Sequence, residues 1–477
     1  MTRQISLLPL VGLIFFSVSG GAYSLEALIS TSGPGMGILL LVVMPIIYGV
    51  PIAAITTELA TAMPTEGGTY VWAQRALGNF VAFESGILRW LNSWVDMAIY
   101  PVLFASYLST LFVPATAGHT VIASLGPFII DVHWIVGVVC VIIPMALLNI
   151  RGARSVGDSS LLFAAIALTP LAILAVLGIV RLFVDHSNPL TPFLVEGSTA
   201  PAAFAAGLSL VMWSYCGFDR VGLIAGEIKN PTKVIPKAML ISMIVIIASY
   251  ALPLIGSMAV GGWENWEAGS FGVVADQLGG KWLSVLVTVG ALFAAVGLYS
   301  SLLMSNSRAI FVLAADRYTP PGLTRLSPRF GTPVVAIVVS SIIYAAFSLG
   351  SFIDLVVIDV FLINLLLLIN LIALVVLRIK DPDMPRPAKI PGGWFGVALM
   401  GVPLTVVIVY VTWFTLRDYG TTAVWLLGGT LVLSVAAYFP ANRYRQRHGA
   451  IDSATDGLSK DPDRATPRET ENFVEQA

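Results

Sequence analysis

The chain has 477 residues, 57% hydrophobic and only 11% charged, with a net charge of −1. Soluble domains carry about 25% charged residues, so a water-exposed globule is excluded and lipid is the expected solvent. The charge balance gives no basis for nucleic-acid binding, and the two cysteines, Cys140 and Cys216, both in apolar runs, make neither a disulfide framework nor a zinc pattern.

A membrane helix needs roughly 20 apolar residues. Twelve such stretches follow one another, near 8–31, 36–62, 84–112, 133–150, 157–183, 203–226, 238–261, 283–314, 333–350, 353–378, 395–416 and 422–440. All are expected to be helices, because a backbone amide in hydrocarbon has no water to pair with. The first stretch follows Arg3 and lacks a small-residue cleavage site, so it reads as a retained span. It is interrupted by Ser19-Gly20-Gly21-Ala22-Tyr23-Ser24, with Glu26 about one turn later. Residues 64–80 start with a turn and become amphipathic, the pattern of a helix lying in the interface. The third stretch holds Asp96, with Tyr100 one turn on and on the same face. The sixth is interrupted by Trp213-Ser214-Tyr215-Cys216-Gly217-Phe218-Asp219, followed by Arg220. The eighth carries Tyr299; the tenth carries Asp359, with Asn364 nearby. From 448 onward the chain is polar and aperiodic, the composition of a disordered tail.

Lys and Arg set the orientation. The even connections and the C-terminal flank hold nearly all of them, including Arg151, Lys229, Lys233, Lys237, Arg308, Arg378 and Arg445. The odd connections hold little beyond Arg181, Lys281 and Arg417. Both termini are therefore expected in the cytoplasm.

Two interrupted apolar helices, placed alike in two halves of a chain, point to the binding site of a secondary transporter. Consecutive small residues let the backbone leave the helix. The freed amides suit an anion and the freed carbonyls a cation. Close helix packing is the competing reading of the small residues. Acids at membrane depth usually face a cavity or pathway. Glu26 could meet a ligand ammonium or carry a proton, or simply touch water at the outer mouth. Asp219 could hold a cation between aromatic rings, or pair with Arg220. Asp96 could handle ligand or proton, or bind freed backbone. Glu58 and Glu227, at the inner ends of spans two and six, are expected to bind loop cations and hold an inner gate. No phosphate-binding glycine loop is present, so ATP drive is not supported.

These residues resemble a known family, the amino acid–polyamine–organocation superfamily, and within it the polyamine uptake and L-type branch of plants and protozoa. The resemblance rests on residues 15–26, on 58–72 (Glu-Leu-Ala-Thr-Ala-Met-Pro-Thr-Glu-Gly-Gly-Thr-Tyr-Val-Trp), and on Asp96 to Pro101. Further stretches are Ala225-Gly-Glu-Ile-Lys-Asn-Pro231, Pro236-Lys237-Ala238, Gly331-Thr-Pro333 and Arg386 to Pro391. It implies an all-α membrane protein of twelve helices with a five-plus-five inverted repeat, and proton coupling in many members. Broken helices one and six would hold the substrate, with helices three, eight and ten completing the site. By position, Ser19–Ser24 and Ser214–Asp219 match the binding breaks, and Asp96, Tyr100 and Asp359 match acid or aromatic positions of the polyamine branch. The chain departs from plant members in having Ala22-Tyr23-Ser24 after the glycine pair and Arg220 where they carry a small polar residue. Span five also lacks the lysine that some proton-coupled relatives use.

The expected organisation is a first repeat over 1–183, a second over 184–380, a peripheral pair over 381–447 and a tail over 448–477. The expected activity is proton-coupled secondary active import of an amino acid or polyamine across the plasma membrane by alternating access, with exchange of neutral or cationic amino acids, or a non-transporting membrane sensor, as the alternatives. Trp213 and Tyr299 would line the site, and Asp96 or Glu26 would take the proton. Besides the small substrate, the proton and the bilayer, no partner, metal or cofactor is expected, nor an enzymatic reaction.

Overall fold

The structure is a computed structural model describing residues 3–23, 25–112, 121–125, 128–267, 269–349 and 352–448. Ser24 and residues 449–477 of the expected tail lie outside the described residues. The helices in chain order are α1 (Leu7–Val18), α2 (Glu26–Ser32), α3 (Pro34–Ala62), α4 (Thr69–Leu77), α5 (Asn79–Phe112), α6 (Val132–Ile150) and α7 (Ala153–Val184). There follow α8 (Ala200–Tyr215), α9 (Pro231–Ser257), α10 (Phe271–Gly279), α11 (Lys281–Ala315), α12 (Val334–Phe347), α13 (Phe352–Lys380) and α14 (Gly393–Arg447). A short antiparallel hairpin, β1 (Val121–Leu125) with β2 (Phe128–Asp131), sits between α5 and α6.

Among the described residues, eight helical stretches are long and apolar enough to cross a membrane. Helix α5 adds 34 residues, about 51 Å of helix. Its Glu84, Arg89 and Asp96 make it less apolar, yet all three are buried. Helices α5, α7, α9 and α11 form the centre, with α11 packed along both α5 and α7. Small residues permit the closest crossings, as membrane interfaces without a hydrophobic drive require. A Cβ at Gly178 of α7 would overlap the backbone of Gly256 on α9.

Three elements differ from the sequence expectation. The sixth stretch does not continue as α-helix after its interruption; Phe218–Glu227 is a 3-10 segment. The amphipathic helix of 64–80 forms as α4, but Tyr70, Val71, Trp72, Ala73 and Gln74 are buried in protein rather than turned to the interface. The reason is local: Gly222 has no side chain, and the Trp72 ring fills the space a Cβ would need. The last two stretches are joined in one 55-residue helical element, α14. A straight rod of that length would span about 80 Å. However, Gly393 O accepts from Arg378, while Arg445 donates to Asp316 O, which belongs with Tyr70 and Gln74. Arg75, next to Gln74, pairs with Asp381, three residues after Arg378. Both ends of α14 thus meet the same end of the bundle, and the element folds back on itself. That end, where Gln4 also lies, is the base of the bundle.

Candidate functional site

Helix α1 stops where Ser19 N–H makes its last bond, to Phe15 O (2.6 Å). Gly21 takes φ +94°, a conformation L side chains rarely adopt, and its N–H turns to Ser19 Oγ (2.9 Å). A Cβ at Gly21 would come within 2.8 Å of Leu171 Cδ1. Helical bonding resumes at Glu26. The second break is built the same way. Helix α8 ends at Tyr215, Gly217 takes φ +107°, and a Cβ there would overlap the Ser17 carbonyl oxygen. The two breaks therefore touch, and glycine is the only residue that permits the contact. Tyr250 of α9 fastens them: its Oη lies 2.7 Å from Ser214 O and 3.5 Å from Val18 O.

Beside this crossing lies a cavity lined by Ser19, Gly20, Gly21 and Tyr23 from the first break and Trp213 and Ser214 from the second. Leu103 and Tyr107 of α5, Tyr250 of α9 and Ala291, Ala294, Ala295 and Leu298 of α11 complete the wall. No lining side chain is charged. The free space is about 40 Å³, enough for a few waters, so a ligand of amino-acid size enters only when the wall opens.

The acids lie elsewhere. Leu103 lines the cavity, and Asp96 is two turns nearer the base on α5. Asp96 Oδ2 pairs with Arg220 Nη2 at 2.8 Å, and Tyr100 Oη donates to Asp96 Oδ1 at 2.8 Å. Asp219 pairs with Arg89. Asp359 Oδ1 accepts from Asn92 Nδ2 at 2.6 Å. Arg220 Nη1 also reaches Asn306 Oδ1 at 3.5 Å. Every one of these charged side chains is at most 3% exposed. Three aspartates face two arginines here. Among the described residues Asp359 makes no ion pair.

Sequence reading placed Asp219 with Arg220 or with a ligand. In a 3-10 segment successive side chains diverge by about 120°, so the neighbours part, one to Arg89 and the other to Asp96. Arg89, Asn92, Asn306 and Tyr250 were not singled out from sequence. The spacing of Arg89, Asn92, Asp96 and Tyr100 along one face of α5 was the available signal. Glu26 is fully buried, and its Oε1 accepts from the amides of Gly269 (3.2 Å) and Phe271 (3.1 Å), fixing the start of α10 to the first break. Tyr215 turns to Leu41 O (2.9 Å), and Tyr299 packs edge-on against Tyr344. Ala22, Cys216 and Phe218 are buried beside the breaks without lining the cavity.

The base carries several buried ion pairs. Glu227 pairs with Arg308 (2.8 Å), and its carbonyl accepts from Gln4 and Ile5. Glu58 pairs with Arg378 and accepts the Ile390 amide at 2.7 Å, with Arg386 at 3.5 Å. Tyr70 and Gln74 donate to Asp316 Oδ2 (2.6 and 2.8 Å).

The apolar helices of span length among the described residues, packed about two touching helix ends, define a multi-pass helical membrane protein. The chain belongs to the amino acid permease family, whose model matches residues 5–435. It is 32% identical over 408 residues to a probable polyamine transporter of Arabidopsis thaliana, covering 85% of this chain and 78% of that one. It is 26% identical over 435 residues to the branched-chain amino acid permease BcaP of Bacillus subtilis, covering 88% of each. Among solved structures, MhsT in complex with L-phenylalanine has the same fold, with a TM-score of 0.65 at 14% identity, covering 86% of this chain and 99% of that one.

Proposed function

We propose that the protein is a secondary active transporter that imports a neutral amino acid with large apolar side chain across the plasma membrane, coupled to protons. The carrying observation is the uncharged cavity between two crossing breaks. In the first break Phe15 O holds the Ser19 amide and Ser19 Oγ the Gly21 amide, so the Gly20 amide is the one that suits a carboxylate. In the second, the Trp213 and Ser214 carbonyls already accept from Cys216 and Tyr250, and each keeps a second lone pair for an ammonium. The aromatic and alanine wall suits an apolar side chain. A polyamine needs several accessible acids, whereas Asp96 and Asp219 already hold arginines. The second reading, a polyamine substrate, is favoured by the similarity to the plant transporter and by the third aspartate.

In this reading the chain comprises two inverted five-helix repeats, 1–183 and 184–380, with 381–447 as a peripheral pair and both termini cytoplasmic. Helices α1–α2 and α8 with its 3-10 segment are the broken first and sixth of twelve spans. Alternating access then rocks one repeat against the other, and the ion pairs at the base are the closed inner gate. Three aspartates against two arginines leave one negative charge for a proton to balance, so the cluster of Asp96, Asp219 and Asp359 carries the coupling proton, Asp359 being the acid that no arginine holds among the described residues. Glu26, held by two amides, is a positioning residue.

Uptake into proteoliposomes tests this. Labelled leucine or phenylalanine accumulates when the outside is acidic, and a protonophore abolishes accumulation. Accumulation of putrescine or spermidine alone transfers the case to the second reading; accumulation of neither class contradicts both.

A further inference from the structure

A second groove lies on the lipid-facing side, away from the crossing breaks. It has about 260 Å³ of free space between α3, α9 and the segment after α13. Ala54 and Thr57 of α3 and Leu240 and Met243 of α9 form its walls, and Lys389 and Ile390 close its base end. Lys233 stands seven residues before Leu240, two helical turns nearer the base on the same stripe of α9. Lys233 and Lys389 are both exposed, and neither makes an ion pair among the described residues. The groove is thus apolar toward the bilayer and carries two free ammonium groups, from separate elements, at the membrane surface.

We propose that this groove binds an anionic glycerophospholipid of the leaflet at the base, one acyl chain lying between α3 and α9 and the phosphate between Lys233 and Lys389. An acyl chain alone would gain little over bulk lipid, since the groove is no more apolar than the bilayer. The discrimination comes from charge, and each lysine near an anionic surface strengthens binding by about fivefold. The site also touches the gate. Ile390 lines the groove and gives its amide to Glu58 Oε2 at 2.7 Å. A bound lipid therefore braces the Glu58–Arg378 clamp and stabilises the closed base. The proposal does not depend on which substrate is carried.

Thermal unfolding of the purified full chain in detergent tests it, with phosphatidylglycerol or phosphatidylcholine of the same acyl chains added. Phosphatidylglycerol raises the melting temperature more, because a ligand of the native state stabilises by mass action. The Lys233→Gln/Lys389→Gln variant, changed only at exposed side chains, weakens the phosphatidylglycerol response by roughly tenfold or more in concentration. The Ala54→Trp variant fills the groove and lowers the response to both lipids. Should that variant fail to fold, native mass spectrometry of wild type and the double-lysine variant decides by the number of phosphatidylglycerol molecules retained. Equal responses to the two lipids, or an unchanged response in the double-lysine variant, overturns the proposal. A shift from inorganic phosphate as large as that from phosphatidylglycerol overturns it too, since the acyl chain would then contribute nothing.

Discussion

The first break, between Val18 and Glu26, and the second, around Cys216 and Gly217, use the same backbone device for different work. Each ends a helix, each needs a glycine with positive φ, and they touch at Ser17 and Gly217. The first presents small residues to the cavity, and its nearby acid is turned aside to cap α10. The second supplies Trp213 and Ser214 to the cavity and then sends Asp219 and Arg220 to two different turns of α5. The first break is a cavity-facing surface. The other joins that surface to a buried electrostatic hub. A charge near a helix break therefore does not by itself mark a ligand contact; what matters is whether a partner of opposite sign is already within reach.

The sharpest way to break this contrast is to orphan a charge in the hub. Arg89→Ala leaves Asp219 buried without its partner and is expected to cost about 3–5 kcal/mol. Thermal unfolding in detergent measures it, and Arg89→Ala with Asp219→Ala should recover part of the loss. If the single variant is as stable as wild type, the pair is not holding the second break. At the contact between the breaks, Gly217→Ala must adopt positive φ and displace the Ser17 carbonyl, a cost of about 2–4 kcal/mol. Transport should fall at least as steeply as stability, and normal uptake would mean that the breaks do not touch in the working protein. Asp96→Asn keeps the hydrogen-bonding shape but removes a charge facing Arg220. On the proposed coupling, wild-type uptake is expected to rise as the outside is acidified; in the variant that pH dependence is expected to flatten, with a loss of stability because Arg220 loses its ion-pair partner. Retention of the full pH profile would place the coupling proton on another group. The smallest change is Tyr250→Phe, which removes one hydroxyl bridging Ser214 and Val18. About 1 kcal/mol of stability should go, with a severalfold rise in KM and little change in kcat. A change in kcat alone would separate Tyr250 from ligand binding.

Much of the fold was legible because lipid leaves few options. Apolar runs of span length had to be helices, and the glycine pair Gly20-Gly21 and the run Cys216-Gly217 marked where helical order lapses. The cavity residues Ser19, Gly20, Gly21, Tyr23, Trp213 and Ser214 were legible for the same reason. The charge pairing was not. Asp219 and Arg89 are separated by 130 positions, and Arg220 and Asp96 by 124, so only the folded arrangement of α5 against the 3-10 segment selects them. For Asp219 the sequence offers a ligand cation or a local pair with Arg220, and the folded chain gives it Arg89 instead. Glu26 was read as facing the ligand because it follows a break; the loop that supplies its amide donors lies more than two hundred residues later. Tyr250 sits in an uninterrupted apolar helix, where nothing in the pattern distinguishes it from a packing residue. The fold-back of α14 was legible as two apolar runs, although helical geometry extends through both.

The proposed ligand role of the cavity can be measured at Ala295 of α11, which lines it together with residues of both breaks. An Ala295→Cys variant, compared with its parent in a Cys140→Ser background, reports access to the cavity through its rate of reaction with a water-soluble thiol reagent. The expected result is that leucine or phenylalanine slows labelling in a saturable way, while spermidine does so weakly or not at all. Labelling that no amino acid or polyamine slows would contradict the claim that the space between the two breaks is where the substrate sits.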